Sequence, residues 1–108
     1  MDIKNLTPHN ITCELADGQR VTFQPAGAPA RVATTQEEVG QVAGIPLRRT
    51  AWGAVQGLPA PEEGVIYITS ALVADRARRA DVVSPDTGPT AIREGGQVVA
   101  VRAFVSWA

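Results

Sequence analysis

The chain has 108 residues, a formal net charge of −1 and a hydrophobic share of 44%. This length is enough for one domain with its own core, so we predict a single domain over residues 1–108 without a disulfide framework or structural metal. The near-neutral charge argues against a dedicated nucleic-acid-binding protein, which carries a basic excess. Cys13 is the only cysteine, which excludes an intramolecular disulfide, and with one histidine it cannot complete a zinc site.

The first ten residues, MDIKNLTPHN, contain no apolar run after a basic stretch, so they do not resemble a secretory signal. No segment approaches the roughly 18 apolar residues of a membrane-spanning helix. We therefore expect a cytoplasmic protein that does not contact a membrane.

Two β-hairpins are predicted near the ends of the chain. Residues 11–15 and 21–23 alternate apolar with polar side chains, and Asp17-Gly18 between them favours a type I′ turn. Residues 90–93 and 97–105 form the second predicted hairpin, with its turn at Glu94-Gly95-Gly96.

The middle of the chain is interrupted by glycine and proline, which favour short elements. In chain order we predict a strand over 30–35, one helical turn or a loop over 36–46, short strands over 45–52 and 54–56, and an exposed loop over 57–64. Residues 65–69 (VIYIT) are apolar on both faces, which is typical of a covered central strand.

One helix is predicted, from the N-cap residue Ser70 to about Arg79. Asp75 and Arg79 are spaced for an i, i+4 ion pair, and a short strand over 81–83 is expected to stop at Ser84-Pro85. The predicted fold class is mostly β (α+β): a small β-barrel or sandwich of seven to eight short strands with one short helix.

No catalytic motif is present in the sequence. His9 is the only histidine, and Ser70, Ser84 and Ser106 lack the flanking glycines of a nucleophile elbow. There is no phosphate-binding glycine loop and no Cys/His cluster. We expect a protein that is not an enzyme and that needs neither a cofactor nor a metal.

Arginine dominates the basic residues, since Lys4 is the only lysine among ten. Arginine pairs bidentately with phosphate, and an aromatic ring can stack on a base, so Arg49 and Trp52 are candidates for a nucleotide-like ligand. The helix N-terminus at Ser70 is a second candidate anion site. Structural explanations stay open, because Arg76, Arg78 and Arg79 complement the negative end of a helix dipole and a GC-rich genome is rich in arginine codons.

Several short blocks resemble a family of short bacterial and bacteriophage proteins. The blocks are Asn5-Leu6-Thr7-Pro8-His9, Ala30-Arg31-Val32, Gly57-Leu58-Pro59, Tyr67-Ile68 with Ser70 and Val73, and Arg79 with Asp81-Val82 and Pro85. The resemblance covers nearly the whole chain and departs from the family pattern at Thr90-Ala91-Ile92-Arg93. It implies that the polar motif residues converge on one site, and it implies a role in conflict between phage and host rather than a particular reaction.

The sequence is compatible with two functions of different class. The first is a non-enzymatic binding protein that captures a small anionic, nucleotide-like ligand, as a phage-type protein would to sequester a host immune signal. The second is a structural or protein-interaction module in which Trp52 and Trp107 anchor a homo-oligomer or a host or phage protein. A hydrolase using His9 and Asp81 has the least support. The candidate ligand-binding residues are His9, Arg31, Arg49, Trp52, Ser70, Arg79 and Asp81.

Overall fold

The computed structural model describes residues 1–108 and contains ten strands and one short helix. The elements are β1 (Asp2–Asn5), β2 (Ile11–Glu14), β3 (Arg20–Phe23), β4 (Arg31–Val42), β5 (Ile45–Gln56), β6 (Val65–Ile68), α1 (Ala71–Ala77), β7 (Val82–Pro85), β8 (Ile92–Glu94), β9 (Gln97–Ala100) and β10 (Phe104–Ser106). No helix is long and apolar enough to cross a membrane.

The central element is a four-stranded sheet with the order β1-β6-β7-β10. β1, β6 and β7 are parallel, and β10 pairs antiparallel with β7. β6 is covered on both faces, since Tyr67 and Ile68 are almost fully buried. The predicted central strand is therefore confirmed, and its apolar sequence follows from this position.

The core lies between this sheet, the helix and the base of the β4–β5 hairpin. Its buried members are Leu6, Ala30, Val65, Tyr67, Val73, Ala74 and Val82. Three further two-stranded sheets, β2–β3, β4–β5 and β8–β9, surround the central sheet. The mostly β, α+β class is confirmed, but the sheets do not close, so the barrel alternative is wrong.

The first predicted hairpin is confirmed, with Ile11 opposite Phe23 and Glu14 opposite Arg20. Its predicted type I′ turn is wrong, because only Gly18 has a positive φ. Asp17 instead accepts a hydrogen bond from the Gln19 N–H through its carboxylate, at 3.0 Å. This local bond favours a three-residue turn that ends with glycine in the left-handed region.

The C-terminal hairpin is also confirmed, but its turn has two residues and not the three predicted, because Glu94 belongs to β8. Glu94 lies opposite Gln97, and Gly95 and Gly96 both have positive φ. Residues 97–105 are not one strand, however. β9 ends at Ala100, and the chain then turns back to add β10 to the edge of the central sheet.

The largest departure from the sequence prediction is the β4–β5 hairpin, called the arm from here on. Residues 36–46 form neither a helical turn nor a loop, because β4 runs to Val42, and β5 is one continuous strand across Gly53. Ala43 and Gly44, with φ of 50° and 81°, connect the strands. The hydrophobic alternation that reveals a strand comes from one buried face, and the arm has no such face.

The arm makes the molecule elongated. The radius of gyration is 16.6 Å and the principal extents are 54 × 37 × 23 Å. A compact chain of this length would have a radius of gyration of about 13 Å. Only 14 of the 108 residues are buried, so a small core carries a long projection.

The helix begins as predicted, with the Ser70 hydroxyl accepting from the Val73 N–H at 3.3 Å. It ends early, because Arg78 adopts a left-handed conformation that caps it after seven residues. The predicted Asp75–Arg79 pair is therefore wrong: Asp75 pairs with Arg78, and Arg79 lies beyond the helix. The strand after the helix continues through Ser84-Pro85 instead of stopping there, since both residues pair with β10.

Candidate functional site

The structure distributes the predicted site residues over separate places. His9 lines a mainly apolar cavity of about 290 Å³ beside β9, whereas Arg31 and Ser70 line an open groove beside the helix. Arg79 lines neither of these cavities. His9, Arg31 and Arg79 do not share one concave pocket, so the convergence implied by the family resemblance is not found for these three residues.

The Asn-Leu-Thr-Pro-His motif is organised around the side chain of Asn5, which is 1% exposed. Its Nδ2 donates to the carbonyls of His9 and Phe23, at 2.7 and 2.8 Å. Its Oδ1 accepts from the Thr7 backbone N–H and hydroxyl, at 2.9 and 2.7 Å. All four hydrogen-bonding positions of the amide are therefore filled, and the side chain joins β1 to the first hairpin.

His9 contributes its backbone to this network and not its ring. The carbonyl accepts from Asn5, while the imidazole is exposed and makes no hydrogen bond within the chain. No ion pair or hydrogen bond joins His9 to Asp81, the partner considered for a hydrolase.

Arg79 and Asp81 form a bidentate ion pair after the helix. Nε lies 2.9 Å from Oδ1 and Nη2 lies 2.6 Å from Oδ2. Arg79 also donates to the carbonyl of Pro59 at 2.9 Å, and the Asp81 carbonyl accepts from the Tyr67 N–H at 2.8 Å. The pair therefore ties the exposed 57–64 loop to the central sheet, and Arg79 already has a carboxylate partner.

This pairing sets the electrostatics of both groups. The hydrogen bonds from Arg79 hold the pKa of Asp81 below its ordinary value, because they favour the charged carboxylate. The same bonds raise the pKa of Arg79. The stabilisation belongs to the folded state, so it is lost when the carboxylate is protonated.

Trp52 lies on the arm and is 44% exposed. The guanidinium of Arg76 in α1 sits over its ring, 5.4 Å from the centroid, which is a cation–π geometry. Arg49 does not share this place. Because side chains alternate along β5, positions 49 and 52 lie on opposite faces of the arm.

Trp107, the second predicted anchor, is partly buried and packs against the core. Its indole Nε1 donates to the hydroxyl of the buried Ser84 at 2.9 Å, and its ring packs against the core. Of the two tryptophans, only Trp52 presents a largely exposed ring.

The most exposed apolar surface is at the end of the arm and was missed from the sequence. Val39, Val42, Ile45 and Leu47, called the arm tip, are 39%, 59%, 67% and 47% exposed. A signal for a hairpin does exist in the sequence: Glu37-Glu38 and Arg48-Arg49 lie at equal distances on either side of Ala43. Such a charge arrangement favours antiparallel pairing of the two segments.

The charged residues of the arm face each other across the two strands. Glu37 lies opposite Arg49, and Glu38 lies opposite Arg48. None of the four takes part in an ion pair within the chain. The arm therefore carries unpaired charges of both signs next to its apolar tip.

Comparison with protein-family models, with curated proteins and with solved structures finds no match to this chain. No group of three or more His, Cys, Asp or Glu side chains is placed to hold a metal ion.

We predict that the N-terminal motif acts through Asn5 and not through the histidine ring. Asn5→Ala should lower the free energy of unfolding by at least about 2 kcal/mol, because the Thr7 N–H and two carbonyls lose their buried partner. His9→Ala should change it by less than about 0.5 kcal/mol. Urea unfolding followed by circular dichroism measures both. A larger loss for His9→Ala than for Asn5→Ala would contradict this assignment.

We predict a pH-dependent contribution from the Arg79–Asp81 pair, whose side chains are only 25% and 18% exposed. Asp81→Asn should reduce the free energy of unfolding by about 1 kcal/mol at pH 7. The folded-state pKa is depressed, so this difference should persist above the unfolded pKa of about 3.9 and shrink as the pH falls further.

The exposed partner of Arg78 provides the control for this titration. Asp75→Asn should change the free energy of unfolding by less than about 0.5 kcal/mol at pH 7. Urea unfolding from pH 7 to about pH 2.5 follows the decline that begins below the unfolded pKa of about 3.9. A difference between wild type and Asp81→Asn that does not shrink with acidification would argue against the ion pair.

Proposed function

We propose that this protein is a non-enzymatic structural module that forms a homo-oligomer through its arm. One observation carries the proposal: every residue from Thr34 to Ala54 is exposed. The helix α1 packs against the base of the arm, where Arg76 lies over Trp52.

The exposure of the outer arm matters because a hairpin needs a packed face to be stable in water. An isolated two-stranded hairpin is marginally stable in water, and a third strand or a packed face is normally needed. Ordering each residue costs about 1–2 kcal/mol of backbone entropy, which burial of apolar surface must offset. The outer arm has no buried residue within its own chain, so a partner is the source of burial that would stabilise it.

The arm tip supplies the chemistry for such a partner. Four aliphatic side chains are exposed within nine residues of a projecting hairpin. Apolar residues concentrated in this way, with charged residues alongside, are typical of protein interaction sites. The arm tip is therefore an exposed aliphatic patch flanked by charged residues.

Capture of an anionic, nucleotide-like ligand stays a prediction of the sequence. Its geometric support is smaller, because Arg79 is paired with Asp81 and Arg76 is stacked on Trp52. Arg31 lies at the base of the arm, opposite Gln56, whereas Arg49 lies near its middle, opposite Glu37. Binding of a host or phage protein by the arm also stays a prediction, and it would use the same surface.

We predict that the arm tip drives self-association. Ile45→Asp and Leu47→Asp should each weaken it at least about tenfold, because a buried aliphatic contact is replaced by a carboxylate. Sedimentation velocity over a range of protein concentrations measures the change.

Val98→Asp is the matched control, since Val98 is 39% exposed but lies in the cavity beside His9. It should leave self-association unchanged. Identical sedimentation of wild type and both tip variants at every concentration would rule out assembly through the arm.

A further inference from the structure

The two faces of the arm differ in what covers them. Residues paired across an antiparallel ladder lie on the same face, and the faces alternate along each strand. One face, called the body face, carries Thr34, Gln36 and Glu38 opposite Trp52, Thr50 and Arg48. The other, called the free face, carries Thr35, Glu37, Gly40 and Val42 opposite Ala51, Arg49, Leu47 and Ile45.

The body of the protein lies on the Trp52 side of the arm. Arg76 of α1 sits over the Trp52 ring, and Val32, two residues before Thr34 on the same face, packs against the core. The free face therefore points away from the body. A second molecule can approach it along its whole length without meeting the first molecule's own core.

The edges of the arm are protected against strand addition. The register shifts between Val32 and Thr34 and between Glu38 and Gly40, so both strands carry irregularities. Pro46 removes a backbone donor from β5 near the tip. Bulges, proline and charged residues are the features that keep edge strands from pairing with another chain. The docking surface is consequently a face and not an edge.

The free face is complementary to itself under one particular symmetry. A two-fold axis parallel to the arm places β4 of one copy over β5 of the other, level by level. Glu37 then meets Arg49, and Val42 meets Ile45, each contact occurring twice. At the level between them, Leu47 meets Gly40, where the absence of a side chain leaves room for it.

The other face-to-face arrangement fails on charge. An axis across the arm would stack β4 on β4 in opposite directions. Glu37 would then lie over Thr35, Glu37, Gly40 or Val42 of the second copy, depending on the register, and never over Arg49. Like charges placed against each other, or charges placed on aliphatic surface, are both unfavourable.

We propose that the occupant of the free face is a second copy of this chain, with the two arms parallel around a two-fold axis and Glu37 of each copy paired with Arg49 of the other. This inference rests on the proposed function and specifies its geometry. The three contact levels span roughly 20 Å by about 10 Å. That is small beside the ~800 Å² per partner of a stable complex, so we expect a weak dimer, with a dissociation constant of about micromolar or above.

Charge-reversal variants test the pairing. Glu37→Arg and Arg49→Glu should each weaken dimerisation about tenfold or more, because each places like charges across the two-fold axis. An equimolar mixture of the two variants should associate again, to within about threefold of wild type, because arginine in one then meets glutamate in the other. Mixing does not alter the pairs inside either chain, so recovery isolates the contact between chains.

The body face provides the matched control. Glu38→Arg and Arg48→Glu change an equivalent cross-strand pair, so they disturb the arm internally to the same degree. They should dimerise like wild type, alone and mixed. Sedimentation equilibrium with one variant fluorescently labelled measures all combinations, and thermal unfolding checks that each variant is folded. The recovery on mixing should shrink at high salt.

The outcomes separate this inference from the proposed function. If Ile45→Asp and Leu47→Asp abolish association but mixing Glu37→Arg with Arg49→Glu gives no recovery, the arm assembles the protein in another arrangement and this inference is wrong. If the tip variants associate like wild type, the proposed function itself fails.

Discussion

The burial of β6 between two parallel neighbours is the constraint on which the rest of the structure depends. Its side chains supply the most buried positions of the sheet, and its backbone aligns β1 with β7. Asn5 pairs with Ile68 at the end of β1. Its side chain donates to the carbonyls of His9 and Phe23, and so connects the sheet to the first hairpin. The Arg79–Asp81 pair connects the 57–64 loop to the sheet, because Arg79 also donates to the carbonyl of Pro59. Asn5 and the Arg79–Asp81 pair thus hold the body together.

So compact a centre cannot also cover the arm. The core cluster reaches only its base, where Val32 and Val55 pack, and beyond that point both strands are exposed. The arm is accordingly the part of the molecule whose order depends most on what lies outside the chain. Its edges carry bulges and Pro46 while its free face is uncovered, and that combination favours face-to-face packing over open-ended strand addition.

Sequence patterns predicted the elements whose burial or backbone geometry requires particular residue types. β6 is buried on both faces and reads as continuous apolar residues, Ser70 caps the helix, and Gly95-Gly96 forms a tight turn. In the arm, the sequence predicted strands over 30–35, 45–52 and 54–56 but missed the strand over 36–42, because neither face is buried there. Sequence patterns also did not predict that the candidate site residues lie in separate places of the fold. The helix ends at Arg78, and Arg79 therefore pairs with Asp81 instead of Asp75. Whether a side chain such as the His9 ring makes contacts depends on residues distant in sequence.

Amide hydrogen exchange of the arm across protein concentrations tests the central claim most directly, because exchange reports the local opening of each segment. The account predicts that amides of residues 36–50 exchange rapidly in dilute solution and become protected as the concentration rises through the micromolar range, while amides of β6 are protected throughout. Arm amides that are as protected as β6 in the dilute protein would contradict it, and so would arm amides that remain unprotected at every concentration.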